Sequence, residues 1–520
     1  MTDTVMISEE ALELVRQTIC RLSSEHAIPS GLEVDFISST TKIDDLGLDS
    51  LDKMTIIQEL QRATNASISD ERIGSVVTAG DLAECIAEGL SQEMPYHGGE
   101  TFDLADVMLR GRQLNLVERC SLCDEFLRTL RERQEAVVMR ELLSPVDREI
   151  LVSDSDTHRA RRLLMFGSNS YLGLGTHPRV MERVQQALME FGVGSTGTAL
   201  LSGYTRLHRE LEERIAALKG TEDAMLFSSG YAANVSLISA LARPDDVLLY
   251  DEFSHASQVD GIRMGGVKRL YPFPHNSAVA LAGLDFGGVD KSHDVFVMVE
   301  GVYSMSGDVA PLDELVRVCC ERRYHLIVDD AHGTGTMGKR GRGTAEHFGV
   351  EGKVDVTVGT FSKVFAVIGG FVAASRPLIQ YLRFFNRSYM FSTSLPPPVV
   401  GAVLGGLDVI EHDSGPLESL RANVGYLTCG LRALGHDVSA ETPIIPLRVP
   451  ADMNMRAASK KFEQLGIFIN SIEYPAVPIT KQQFRISVMA THRKEDLDSL
   501  LRAIDEVWLC CRFSGVERRG

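Results

Sequence analysis

Between residues 224 and 374 the chain repeats one pattern. A run of four to six mostly apolar residues is followed by a polar or glycine-bearing turn and then an amphipathic stretch. The runs are Ala224–Phe227, Val247–Tyr250, Val295–Glu300, Leu326–Asp329, Val354–Gly359 and Gly370–Ala374. Runs this short and this continuously apolar read as strands buried on both faces. Alternation with amphipathic helices therefore predicts an α/β fold with a parallel-rich sheet covered on both sides. In such folds the chemistry gathers beyond the carboxyl ends of the strands. The polar residues just after each run are thus the first candidates for a site.

The chain has 520 residues, too many for one hydrophobic core, so two or three domains are expected. Charge marks where the first one lies. Residues 1–95 hold 18 acidic and 6 basic side chains, which accounts for −12 of the chain's net −18. Apolar residues at helical spacing (Leu12, Leu14, Val15, Ile19 and Leu22; then Met54, Ile56, Ile57 and Leu60; then Asp81–Leu90) predict a small all-α helical bundle there. A charge of this sign argues against a nucleic acid partner, because phosphates need cations. Apolar runs are strand-sized, well short of the ~20 residues that span a bilayer, so no transmembrane segment is expected. Met1–Glu10 has no signal-peptide character, and the nine cysteines are scattered, so a reducing cytoplasm is expected. Cys120 and Cys123 form a lone Cys-x-x-Cys, read as helix positions rather than a metal or redox site. Residues Ser91–Thr101 are polar and Gly-containing and read as a linker, with helical, charged sequence over Leu104–Arg140. The expected boundaries are 1–92, 93–160 (linker and helical segment), 161–395 (large domain) and 396–520 (small C-terminal domain).

Two segments at the ends of apolar runs carry chemistry. Ile327-Val328 leads into Asp329-Asp330-Ala331-His332, and the run ending at Gly359 leads into Thr360-Phe361-Ser362-Lys363. A carboxylate at a strand end is often a cap, and a lysine in a turn is often a surface charge. Together they suit an electron-sink site, where the lysine forms a Schiff base with an aldehyde cofactor and the carboxylate keeps a pyridine nitrogen protonated. In the acidic region, Ser50 stands where a loop turns into a helix, within Leu46-Gly47-Leu48-Asp49-Ser50-Leu51. Alone it would be an N-cap.

The Ser50 segment resembles the phosphopantetheine attachment site of acyl carrier proteins, over about residues 8–92, which implies a small all-α four-helix carrier bundle. The resemblance implies that Ser50 carries a covalent 4′-phosphopantetheine arm. It also implies that a phosphopantetheinyl transferase and an acyl-loading enzyme act on this domain. Asp44, Asp45, Asp49, Asp52 and Glu59 would then form an anionic face for partner enzymes. Residues from about Phe166 to Arg493 resemble the α-oxoamine synthases, a group of fold-type I pyridoxal-phosphate enzymes that includes serine palmitoyltransferase and 8-amino-7-oxononanoate synthase. The blocks that carry the likeness occur in order: Ser168–Leu174, Gly194–Thr198, Ser202–His208, Phe227–Asn234, Ser254–Ser257, Glu300–Asp308, the Asp329 and Lys363 segments, Phe391–Pro397 and Arg485. The motifs around Lys363 and Tyr389–Pro397 are most similar to bacterial serine palmitoyltransferases.

The resemblance implies a role for each residue. Lys363 is the Schiff-base lysine and moves the α-proton. Asp329 pairs with the pyridinium nitrogen, His255 stacks on the ring, and His332 sits beside the substrate carboxylate and ring oxygen. Gly230 and Tyr231 offer backbone N–H groups to the cofactor phosphate, with Thr360 and Ser362. Ser304 joins the cofactor shell, and Thr393 reaches a neighbouring subunit's phosphate in a homodimer. Asn169 and Arg485 hold the amino-acid carboxylate. The expected reaction is decarboxylative condensation of serine, glycine or alanine with an acyl thioester, giving an α-amino ketone; no metal is implied. Two departures bear on substrate choice. Ala199 stands where many relatives have Arg, and Val364-Phe365-Ala366 follows the lysine where relatives often have glycine-containing turns. The alternatives are an aminotransferase or aldol-type lyase on the same fold, a carrier-docking scaffold without catalysis, or a carrier that serves a synthase in trans.

Overall fold

A computed structural model describes residues 2–24, 37–43, 46, 56–57, 59–60, 76, 78–89, 107, 110–111, 114–133, 139–153, 159–287, 293–450, 453–473 and 482–511. The chain divides into two compact units, Met1–Ala136 with Ile472–Gln482, and Val137–Ser471 with Gln483–Gly520.

In the first unit, the helices Thr2–Ser24 and Ala79–Gly89 pack together around an apolar core. Val15, Ile19, Ile43, Ile56, Ile57, Leu60, Val76, Leu82 and Ile86 are buried in it. These are the positions the helical spacing marks. Both helices begin before the predicted starts at Ala11 and Asp81. For the second the cause is visible: the Thr78 hydroxyl accepts from Asp81 N (3.1 Å), and the Asp81 carboxylate accepts from Thr78 N (2.8 Å). That reciprocal cap satisfies two free N–H groups at the helix start. The helix Leu116–Glu132 opens on a similar box between Asn115 and Glu118, and Cys120 and Cys123 lie exposed on it. Ser50, with Asp44, Asp45, Asp49 and Asp52, lies outside the described residues.

The second unit is built on a seven-stranded sheet. In chain order, β1 (Glu149–Ser153) and β2 (Ala160–Met165) form a small sheet with β11 (Ile467–Phe468). The large sheet comprises β3 (Asp223–Phe227), β4 (Val247–Asp251), β5 (Arg269–Phe273), β6 (Val295–Glu300), β7 (His325–Asp329), β8 (Val356–Thr360) and β9 (Gly370–Ala374), in the order β3-β9-β8-β7-β6-β4-β5. All neighbours are parallel except β9, which runs antiparallel to β3 and β8. A third sheet has the order β10-β13-β12, with β10 at Ile444–Arg448, β12 at Asn470–Ile472 and β13 at Gln483–Ser487.

The large sheet is apolar on both faces, as its continuous runs require. On one face Met225, Leu248, Met298, Ile327, Val358 and Val372 pack with residues of the helices Gly230–Leu241 and Ala256–Gly265. On the other, Leu249, Val297, Val299 and Val328 meet the helix Leu312–Arg322. There too, Leu226, Phe371 and Ala373 meet the helices Arg206–Lys219 and Pro397–His412. The strand β5 was not among the expected runs. Its Arg269-Leu270-Tyr271-Pro272-Phe273 mixes polar and apolar residues, and Pro272 is tolerated because β5 is an edge strand. The helix Pro397–His412 packs closely on Pro178–Phe191.

Candidate active site

Strand direction decides where the site lies. β4, β6, β7 and β8 end on one edge of the sheet, at Asp251, Glu300, Asp329 and Thr360. β3 ends there too, because Phe227 pairs with Gly370, the first residue of the antiparallel β9. The turns that follow carry Gly230, His255, Ser304, His332 and Lys363 to that edge.

Asp329 is buried (5% exposed), and both groups that donate hydrogen bonds to it are neutral. Asn234 donates to one oxygen through Nδ2 (2.6 Å), and Ala331 N donates to the other (3.0 Å). Asn234 also donates to Ser257 Oγ (3.0 Å), and Ser257 is hydrogen-bonded to His255 Nδ1 (2.7 Å). The carboxylate, the amide, the serine and the histidine thus form one chain of contacts. His255 caps the helix Ala256–Gly265 and exposes its ring.

Lys363 is half-buried. Burial, aided by the Arg485 guanidinium, lowers its pKa to about 8 against the pull of Asp329 and Glu300. Glu300 is buried directly beside Asp329 in the β6–β7 register. Burial first, and then the Asp329 carboxylate, hold its proton on well above the usual range. The edge therefore holds one neutral acid, one neutral-partnered carboxylate and one lysine that loses its proton readily.

His332 is buried (3% exposed), and its Nδ1 is 2.7 Å from the Tyr171 hydroxyl. Burial holds the imidazole neutral, and Lys363 and Arg485 add to that. The Tyr171 hydroxyl also donates to Asn169 Oδ1 (3.1 Å) and accepts from Arg485 Nη2 (3.4 Å). Its own pKa is pushed up to about 12 by burial, in spite of Arg485. Arg485 stands on β13 at 6% exposure. It donates to Ser304 O (2.6 Å), Asn169 Oδ1 (3.1 Å) and Ser487 Oγ (3.2 Å), all neutral acceptors. Burying a guanidinium with only neutral partners costs free energy that an incoming anion would recover.

At the other end of the edge, the helix Gly230–Leu241 begins under the turn after β8. A Cβ on Gly230 would come within 2.8 Å of Thr360 Cβ, and one on Gly370 within 2.6 Å of Gly230 N. Only glycine permits this approach. Ser229 caps the helix through Ala232 N (3.0 Å), while helix geometry leaves the Gly230 and Tyr231 N–H groups without intrahelical acceptors. Thr360 Oγ1 and Ser362 Oγ lie 2.8 Å apart in the same turn. Free N–H groups, two hydroxyls and a helix N-terminus make a corner shaped for an anion. The Tyr231 side chain turns outward to Asp260.

The structure thus gathers Asn169, Gly230, His255, Ser304, Asp329, His332, Thr360, Ser362, Lys363 and Arg485 at the edge formed by the strand ends. Thr393 is exposed and lines a cavity with Ala199, Tyr204, Glu212 and Ser228, the last of these just beyond the end of β3. Ser50 is outside the described residues. Sequence reasoning passed over Asn234, Tyr171, Ser257 and Glu300 as site residues, although all four lie inside the quoted blocks. For Glu300 a signal was present, since it closes an apolar run just as Asp329 does. These residues fit pyridoxal phosphate on three observations: a glycine-only anion corner, a buried carboxylate with neutral partners, and a lysine whose amine is readily neutral.

Residues 161–504 match the family "Aminotransferase class I and II", and residues 30–86 match "Phosphopantetheine attachment site". A serine palmitoyltransferase of Bacteriovorax stolpii is 39% identical, over 67% of this chain and 83% of its own length. An 8-amino-7-oxononanoate synthase of Geotalea daltonii is 41% identical, over 67% of this chain and 89% of its own. Among solved structures, serine palmitoyltransferase from S. paucimobilis superposes with a TM-score of 0.71 at 29% identity, covering 77% of this chain and all of that one.

Proposed function

The chain belongs to the α-oxoamine synthases, pyridoxal-phosphate-dependent acyltransferases of the class I and II aminotransferase family, and carries a phosphopantetheine attachment domain; on that premise we propose that it condenses a small α-amino acid with an acyl thioester held on its own arm, with loss of carbon dioxide. The observation that carries the reading is the buried Arg485, which holds only neutral partners and is linked through Tyr171 to His332. A carboxylate bound there would sit beside the residues that must handle an α-proton.

Each residue's part follows from its environment. Arg485 and Asn169 bind and orient the amino-acid carboxylate. Tyr171 and the neutral His332 flank it and add no competing charge. Lys363, with a pKa near 8, takes the α-proton on its amine and returns one later. Asp329, fixed by Asn234, would pair with the pyridine nitrogen of the cofactor. His255, fixed by Ser257, presents its ring face. Gly230, Tyr231, Thr360 and Ser362 take the phosphate. When bound, pyridoxal phosphate supplies the electron sink that makes the α-carbon nucleophilic. Thr393, exposed on the surface of one chain, reaches a second copy's phosphate site in a homodimer.

The attachment domain supports the tethered thioester. A covalent arm raises the local thioester concentration without any new contact. The test is a Ser50→Ala variant supplied with loaded acyl groups. Loss of turnover with carrier-delivered substrate supports the reading; full turnover with acyl-coenzyme A on Ser50→Ala overturns the tethered route. Mixing Ser50→Ala with Lys363→Ala chains then separates delivery within a chain from delivery between chains.

A further inference from the structure

His275 takes no part in the site as described, yet it sits between two of the loops that build it. It follows β5, and its ring stacks on Phe253 (centroids 4.4 Å, 23°) and meets Tyr303 edge-on (4.4 Å, 86°). Its Nδ1 is 3.0 Å from Asp251 Oδ1 and its Nε2 is 3.4 Å from Asp308 Oδ2. Asp251, fully buried at the end of β4, also accepts from Phe253 N (2.9 Å) and Asn276 N (2.8 Å). Glu252 accepts from His275 N (3.0 Å). The short segment from Asp251 to His255 is thereby bound at several points to the turn that carries His275.

The second loop runs from Tyr303 to Asp308. It closes on itself through Tyr303 N to Asp308 O and Gly307 N to Tyr303 O, both 2.9 Å. Its Ser304 carbonyl is the acceptor for Arg485, and its Met305 carbonyl accepts from Gln483 Nε2 (2.7 Å). One loop therefore ends at the ring-stacking His255, and the other supports the carboxylate-binding Arg485.

We propose that His275 is a positioning residue that ties these two loops together and so sets the spacing between the cofactor ring and the substrate carboxylate. The inference rests on the function proposed above. As a cation between two carboxylates, His275 holds both loops by charge as well as by packing. Burial works against that charge, but the hydrogen bonds to Asp251 and Asp308 outweigh it and raise the pKa to about 9. The groups facing it are Asp251 from β4, Glu252, and Asp308 with Tyr303 from the loop after β6; Arg448 lies near Asp308 and Glu300 near Asp251. Because the folded pKa is raised, the charged part of the tie is complete below the unfolded pKa of ~6.5 and is lost as pH rises through about 9.

The test uses the full chain and its His275→Gln variant, with cofactor binding followed by absorbance and amino-acid binding by spectral titration with serine, glycine and alanine. The variant is expected to bind the amino acid about tenfold more weakly at about pH 7, and the wild-type-to-variant ratio is expected to be smaller at about pH 10, where only the ring packing is left. Taking the ratio cancels the titration of Lys363, which both proteins share. An Asp308→Asn variant, changed at a half-exposed carboxylate, is expected to weaken amino-acid binding in the same direction and keeps the test open if the first variant does not fold. Unchanged affinities in both variants, or a ratio that does not depend on pH, would overturn the inference. A wild-type chain that binds no cofactor would instead overturn the function on which it rests.

Discussion

Replacing Lys219 with methionine tests how the loop after β7 is held. Lys219 Nζ lies 2.7 Å from Asp330 Oδ2, and both side chains are about 3% exposed. Asp330 also accepts from Thr344 N (3.2 Å) and Thr344 Oγ1 (2.6 Å), closing the loop that begins with His332. Lys219 further donates to Arg342 O (2.7 Å). Removing the ammonium leaves a buried carboxylate without its cation, a loss of roughly 3–5 kcal/mol for pairs this deep. Much of that loss is the unpaired charge rather than the bond. The double change Lys219→Met/Asp330→Asn keeps an acceptor for Thr344 while removing the charge, and is expected to recover at least about 1 kcal/mol. Urea unfolding followed by fluorescence of Trp508 is the assay. Trp508 is the chain's one tryptophan, and it packs on Phe484 and His436 in the core of the same unit. A loss below about 1 kcal/mol in Lys219→Met, or a double variant no better than the single, would refute the argument.

Four further outcomes follow from the geometry. Arg485→Lys keeps the charge but not the fork, and is expected to raise the amino-acid KM by at least about tenfold with a smaller effect on kcat, read from steady-state kinetics. Gly230→Ala forces a Cβ toward Thr360 and is expected to weaken cofactor affinity and lower stability by about 1–3 kcal/mol, read by cofactor titration and thermal unfolding. The Lys363 pKa is depressed, so the folded chain binds fewer protons than the unfolded one between about 8 and 10.5. Its burial then costs stability fully below that window, and the cost is relieved as pH rises through it; Lys363→Met is expected to remove this rise from the pH profile of urea midpoints. Asn234→Leu removes the donor to both Asp329 and Ser257, and is expected to weaken cofactor binding while leaving the far-ultraviolet circular dichroism unchanged.

How much the sequence disclosed depended on whether a residue's job is visible along the chain. The strands with both faces buried read as continuous apolar runs, so β6 and β9 were placed to the residue. The edge strand β5 lacks that constraint and, with Pro272 inside it, carries no such run. Asp329 and Lys363 were legible because each follows directly on an apolar run. Tyr171 and Asn234 were not, because their importance comes from partners 161 and 95 residues away in the chain, His332 and Asp329. His275 sits at the end of β5, the one large-sheet strand the pattern left out, which is why the tie it makes was invisible before the sheet was known.

The central claim is that this edge of the sheet holds pyridoxal phosphate on Lys363 and discriminates among small amino acids. The most direct measurement is the visible absorbance of the full chain with added pyridoxal phosphate during titration with serine, glycine and alanine. The account predicts, on protein freed of unbound cofactor, a yellow band that shifts on binding one of the three and is absent in Lys363→Ala before amino acid is added. No band in the wild-type chain, or an identical band in Lys363→Ala, would contradict it.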